Sequence, residues 1–187
     1  NKKTQVIGLA GGQGSGKSTI SNILKIILKE SFNLETVTLS IDDFYKTLKE
    51  RKIMSKNISS LFLTRGVPGT HDTKMLLKSI KKLKNSQFKK IIIPKFDKAV
   101  DDRKPKKKWL KLQKKPNIVI FEGWCIGVES QKKKDLLIPI NELEKQRDKK
   151  KIWRTRVNNE LKKDYKKIFK LIDKIIFLKV PSFKYVY

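Results

Sequence analysis

Residues Gly11-Gly12-Gln13-Gly14-Ser15-Gly16-Lys17-Ser18 fit the pattern G-x-x-x-x-G-K-[ST], and their flanks restrict them to one local fold. The apolar run Val6-Ile7-Gly8-Leu9-Ala10 comes before them and reads as a strand over 4–10. After them, Ile20, Ile23, Leu24, Ile27 and Leu28 recur at helical spacing, predicting a helix from about Lys17 to Glu30. A strand that passes through a glycine-rich turn into a helix points several backbone N–H groups at one place. Glycine lets the backbone approach closely, and the helix N-terminus adds its dipole. The partner for such a nest is a chain of phosphates. The pattern therefore predicts a nucleoside triphosphate site formed by Gly11, Gly12, Gln13, Gly14, Ser15, Gly16, Lys17, Ser18 and Thr19. Lys17 reaches the outer phosphates, and the Ser18 hydroxyl binds Mg²⁺.

Further along, strand-like and helix-like segments alternate. Glu35–Ser40 predicts a second strand, ending at Ile41-Asp42-Asp43-Phe44-Tyr45. The stretch 46–70 has weak periodicity. Asp72 or Thr73 can cap a helix whose stripe is Met75, Leu76, Leu77, Ile80 and Leu83. Lys89–Pro94 reads as a short strand, and Asn117–Phe121 has the unbroken apolar character of a buried parallel one. A long helix is predicted over Ile152–Ile172 and a last strand over Lys174–Val180, with Pro181 opening another helix. Strands separated by helices imply an α/β fold: a doubly wound, mainly parallel sheet with helices on both faces. At 187 residues, a single domain spanning 1–187 is expected. The chain stops just as the last helix begins, which reads as a cut at the C-terminus.

Ligands of such sheets bind at the carboxyl ends of the strands. The phosphate loop, Asp42, Asp43, Asp97, Lys98 and Glu122 all follow apolar runs, so they are expected to converge. Phosphoryl transfer needs positioning and charge neutralisation more than covalent chemistry. Asp42, after the strand beside the phosphate loop, is the expected base for an acceptor hydroxyl, with Asp43 as its neighbouring alternative or a metal-shell residue. Glu122 stands where an acid contacts Mg²⁺ directly or through water. Arg65, His71 and Lys98 suggest an anionic acceptor, while Asp72 or Asp97 takes hydroxyls. His71 reads equally as a structural histidine, and Arg103 as a salt-bridged loop residue.

Composition excludes some partners. The net charge is +28, yet it comes from 40 Lys against 6 Arg, alongside 22 Ile and 2 Ala. Nucleic-acid readers lean on arginine and exposed aromatics. The runs at Lys104–Lys108, Lys132–Lys134 and Lys149–Lys151 lack interleaved aromatic stacks, so no specific nucleic acid is expected. No apolar run has membrane-spanning length. The lone Cys125 fits a reducing cytoplasm and a packing role.

The motifs resemble those of the P-loop small-molecule kinases that include phosphoribulokinase, uridine kinase and pantothenate kinase. They are most similar to the D-glycerate 3-kinase group and its bacterial relatives. Besides the phosphate loop, the matching segments are Ser40–Tyr45, Arg65-Gly66-Val67-Pro68-Gly69-Thr70-His71-Asp72, Pro94–Lys98, Asp101-Asp102-Arg103, Phe121-Glu122-Gly123-Trp124-Cys125-Ile126-Gly127, Pro139–Glu144 and Val180–Phe183. The resemblance implies cytoplasmic, ATP-dependent and Mg²⁺-dependent phosphorylation of D-glycerate to 3-phosphoglycerate, with Asp42 and Lys17 as catalytic residues. The acceptor set it implies is Asp43, Tyr45, Arg65, His71, Asp72, Asp97, Lys98 and Arg103. Pantothenate, uridine or a sugar phosphate are alternative acceptors within the wider group. An NTP-dependent nucleic-acid-binding module is the alternative outside it.

Overall fold

The computed structural model describes residues 3–180. The helix expected from Pro181 and the segment Ser182-Phe183 lie outside them. In chain order the elements are β1 (Gln5–Gly11), α1 (Lys17–Phe32), β2 (Thr36–Ser40), α2 (Leu48–Asn57), α3 (Thr73–Lys84), β3 (Ile91–Ile93), β4 (Phe96–Asp97), β5 (Asp102–Arg103), β6 (Leu110–Leu112), β7 (Ile118–Gly123), α4 (Glu142–Arg147), α5 (Ile152–Glu160), α6 (Lys166–Phe169) and β8 (Lys174–Leu178). The main sheet is parallel throughout, in the order β2-β7-β1-β8.

Register explains both the core and the site. Val37, Val119 and Val6 stand side by side across the sheet, as do Leu39, Phe121 and Gly8. Their face packs on Leu76, Ile80 and Leu83 of α3 and on Leu161, Tyr165 and Ile168. Side chains alternate along a strand, so Thr38, Ile120 and Ile7 point the other way. There Ser21 of α1 meets Thr38, with the two hydroxyls 3.5 Å apart. Helices thus cover both faces. The same register places Ser40 beside Glu122 and Ala10 beside Gly123, aligning the carboxyl ends of three strands.

Several segments depart from the sequence pattern. The strand expected at Lys89–Pro94 forms, as β3, but pairs antiparallel with β6 outside the main sheet. Both are three residues long, and the exposed side chains of Ile92 and Lys111 are ill suited to a buried parallel layer. Asp97 and Lys98 therefore come from the β4–β5 ribbon and its turn, not from the end of a sheet strand. The weakly periodic stretch holds α2, which Thr47 and Glu50 start with a reciprocal capping box. The helix expected over Ile152–Ile172 runs only to Phe169, and a π turn at Leu161–Tyr165 interrupts it. The α1 stripe packs less than expected, for Ile23 and Ile27 stay about half exposed, at 50% and 45%.

Candidate active site

At the aligned strand ends lies a cavity of about 590 Å³, lined by Gln13, Gly14, Lys17, Ser18, Ser40, Asp42, Tyr45, Thr64, Arg65, Gly66, Lys98, Glu122, Gly123 and Trp124. Its floor is the phosphate loop. Gly16 takes φ 78, a left-handed conformation that glycine adopts without strain, and so turns the chain into α1. A side chain added at Gly12 or Gly16 would meet no protein atom within 4 Å. The loop backbone therefore faces open space, as a phosphate cradle must. No side chain caps α1 and no acid stands in its first turn, which keeps its N–H groups and dipole available to an anion.

Charged groups meet above this floor. Lys17 Nζ donates to the Gly12 carbonyl at 2.6 Å, folding the side chain over the loop. Burial lowers the Lys17 pKa; the Glu122 and Asp42 carboxylates oppose that shift and the Lys98 ammonium adds to it. Ser18 Oγ donates to Glu122 Oε2 at 3.3 Å, so a hydroxyl and a carboxylate face each other, a hard-oxygen pair suited to Mg²⁺. Thr19, next along α1, does not line the cavity.

Asp42 sits in the 3₁₀ turn Ile41–Phe44 that follows β2. Tyr45 donates its hydroxyl to Asp42 Oδ1 at 3.0 Å, and Lys98 Nζ pairs with Oδ2 at 2.8 Å. The Lys98 side chain is 64% exposed, so this contact is free to exchange for another anion. Asp43 turns the opposite way: it pairs with Lys95 at 2.6 Å and accepts the Phe96 N–H at 3.2 Å, tying the turn to β4.

The other expected acceptor residues are held away from the cavity lining by partners of their own. Asp72 accepts the Met75 N–H at 3.0 Å, capping α3, and pairs with Arg103 at 3.1 Å. Arg103 Nε donates to the Tyr45 carbonyl at 2.8 Å. Asp97 accepts the Ala99 N–H within its own turn. His71 is fully buried, stacked on the Tyr45 ring at 4.4 Å and bonded through Nδ1 to the Tyr165 hydroxyl. Its Nε2 has no partner among the described residues, and burial pushes its pKa down to about 3. None of the four lines the cavity, and of the residues expected at the acceptor end only Tyr45, Arg65 and Lys98 do. Cys125 is buried too, its thiol pushed up to about 12 by that burial, as suits a packing residue.

The phosphoribulokinase / uridine kinase family matches residues 6–174, spanning every part of this site. The chain belongs to that family. It is 33% identical over 190 residues to the uncharacterized kinase mug58 of Schizosaccharomyces pombe, covering 97% of this chain and 67% of that protein. It is 29% identical over 130 residues to the chloroplastic D-glycerate 3-kinase of Arabidopsis thaliana, covering 65% of this chain and 28% of that one. Among solved structures, D-glycerate 3-kinase from Cryptococcus neoformans superposes with a TM-score of 0.80 at 24% identity, over 98% of this chain and 66% of that chain. The chain carries the phosphate loop and kinase fold of this family and spans about two thirds, or less, of the length of these relatives.

Trp124, read from the sequence as core or pocket wall, forms part of the cavity wall, its Nε1 donating to the Gly66 carbonyl at 3.0 Å. Other parts of this family member's site escaped the sequence reading. Ser40 and Thr64 line the cavity. Behind Arg65 lie Asp101 and the fully buried Arg51. A signal for the last pair was present. In a chain with 40 Lys and 6 Arg, an arginine is a candidate for a place that needs a planar, forked donor, as Arg51 and Arg65 are here.

Proposed function

We propose that this kinase transfers the γ-phosphoryl group of ATP to a hydroxyl of a small organic acid, and that the acid is D-glycerate. The observation carrying this reading is a single cavity lined by the phosphate loop with Lys17, by Asp42, and by the cations Arg65 and Lys98, of which Lys98 pairs with Asp42. The D-glycerate 3-kinase relatives favour the same acceptor.

In the proposed reaction Lys17 and the N–H groups of Gly12–Ser18 hold the triphosphate. Mg²⁺, held by Ser18 with Glu122 beside it, would neutralise charge on the β- and γ-phosphates. Arg65 and Lys98 grip the acceptor carboxylate, and so bring its hydroxyl over Asp42. Tyr45 stays on Asp42 Oδ1, while Lys98 leaves Oδ2 for the incoming anion. Oδ2 then accepts the hydroxyl proton as the oxygen attacks the γ-phosphorus, and the bond from that phosphorus to the β,γ-bridging oxygen breaks to release ADP. Asp43, His71, Asp72, Asp97 and Arg103 serve the acceptor by fixing the wall it binds against. The single buried cysteine suits a reducing compartment such as the cytoplasm.

ADP release measured with ATP, Mg²⁺ and a panel of D-glycerate, pantothenate, uridine and sugar phosphates tests the acceptor. Turnover with D-glycerate above all others is expected. A response to uridine or pantothenate and none to D-glycerate overturns the choice of acceptor. Turnover stimulated only by RNA or DNA overturns the small-molecule reading altogether.

A further inference from the structure

Asp101 lies outside the cavity, in the turn between β4 and β5, yet it holds two arginines at once. Its backbone has φ 54, a left-handed conformation that few non-glycine residues adopt. One carboxylate oxygen, Oδ2, pairs with Arg51 Nη2 at 2.9 Å, and the other, Oδ1, with Arg65 Nη1. Burial opposes ionisation of Asp101, but hydrogen bonds from Arg51 and Arg65 hold its carboxyl below the usual value.

The two arginines differ in their freedom. Arg51 is fully buried and donates to the carbonyls of Lys46, Leu63 and Asp101, at 3.3, 2.6 and 2.6 Å. Three neutral acceptors take three of its five N–H donors without balancing its charge. Asp101 is its ion-pair partner, and a buried cation without one is strongly destabilising. Arg51 therefore anchors Asp101. Arg65 is partly exposed, lies 5.6 Å from the Phe96 ring centroid and lines the cavity. With one edge of its guanidinium held by Asp101 and its face near Phe96, its remaining N–H groups are set in one orientation.

Resting on the acceptor role proposed for Arg65, we infer that Asp101 is a positioning residue that fixes the Arg65 guanidinium for the acceptor carboxylate, with buried Arg51 as its anchor. The Arg51–Asp101–Arg65 triad also carries one net positive charge, which suits an acceptor with one negative charge.

The test uses three variants of the full chain, with ATP, Mg²⁺ and D-glycerate. Asp101→Asn suits the same backbone conformation but removes the carboxylate. It is expected to raise KM for D-glycerate about tenfold with kcat and KM for ATP little changed, as for lost ground-state binding. Because Arg51 is then left uncompensated, the double variant Arg51→Met/Asp101→Asn removes the buried charge as well; it is expected to recover thermal stability while keeping the KM defect. Arg51→Met alone removes the anchor but leaves Asp101 on Arg65, and should raise KM for D-glycerate by less than Asp101→Asn does, about threefold; a wild-type KM in that variant overturns the anchoring role. A normal KM in Asp101→Asn, or a KM that recovers with stability in the double variant, overturns the inference. If the wild type itself does not phosphorylate D-glycerate, the acceptor reading fails first. The triad is then tested by the affinity of whichever acid the panel identifies, and an affinity unchanged by Asp101→Asn overturns the inference there too.

Discussion

The two ends of the cavity are built on opposite principles. At the nucleotide end, Gln13, Gly14, Lys17 and Ser18 of one contiguous loop line the cavity, with Lys17, Ser18 and Glu122 adding charged and hydroxyl side chains. At the acceptor end, Tyr45, Arg65 and Lys98 come from separate segments and are held by other side chains: Asp42, Asp101 and the aromatic stack behind Tyr45. A backbone cradle binds what all triphosphates share and tolerates change around it. A side-chain end specifies one acceptor, and each of its parts depends on a neighbour. The nucleotide end should therefore fail at single residues that touch phosphate. The acceptor end should fail also through residues that touch no ligand.

The largest effect is expected at the floor. Lys17→Ala should lower kcat/KM by at least about 10³-fold with any acceptor, because it removes charge stabilisation from the transferred group. Steady-state rates with saturating D-glycerate check this. Loss confined to one acceptor would erase the contrast between the ends. Arg65→Gln should raise KM for D-glycerate between about ten- and a hundredfold, the range for losing a charge-assisted hydrogen bond, and leave KM for ATP unchanged. Equal rises in both KM values would show that the ends are not separate.

A smaller effect is expected from the stack behind the wall. His71 is held neutral by burial, with its pKa near 3 in the fold and its ordinary value near 6.5 once unfolded. Between those values the unfolded chain binds the extra proton, so stability is full above about pH 6.5 and falls as pH drops. The contribution lost between pH 7 and 5 is about 2 kcal/mol. Urea unfolding at the two pH values should show this loss, and His71→Gln should remove that part of the pH dependence. An unchanged dependence in the variant would take His71 out of the account.

This contrast also governs what the sequence revealed. The phosphate loop, Asp42 and Glu122 were legible because each sits beside a strand whose apolar run marks it, and register then brings the ends together. The parallel sheet was legible for the same reason. The acceptor end was only half legible. Arg65 and Lys98 were found as cations, but Arg103 is a cation too, and it and the carboxylates Asp43, Asp72 and Asp97 are spent on caps, turns and ion pairs. Charge type alone cannot tell a cation that faces a ligand from one that faces a carboxylate. The π turn at Leu161–Tyr165 was hidden too, because the apolar spacing there still fits an ordinary helix. That turn lies in the segment where Tyr165 meets His71.

The account rests most heavily on Asp42 as the group that takes the acceptor's proton across from Lys17. Asp42→Asn, assayed for ATP affinity and for kcat with saturating D-glycerate, tests it directly. ATP affinity within about threefold of wild type and a kcat lower by about 10²-fold or more are expected for the loss of a positioned base. Near-normal turnover in that variant, with ATP bound as before, would contradict it.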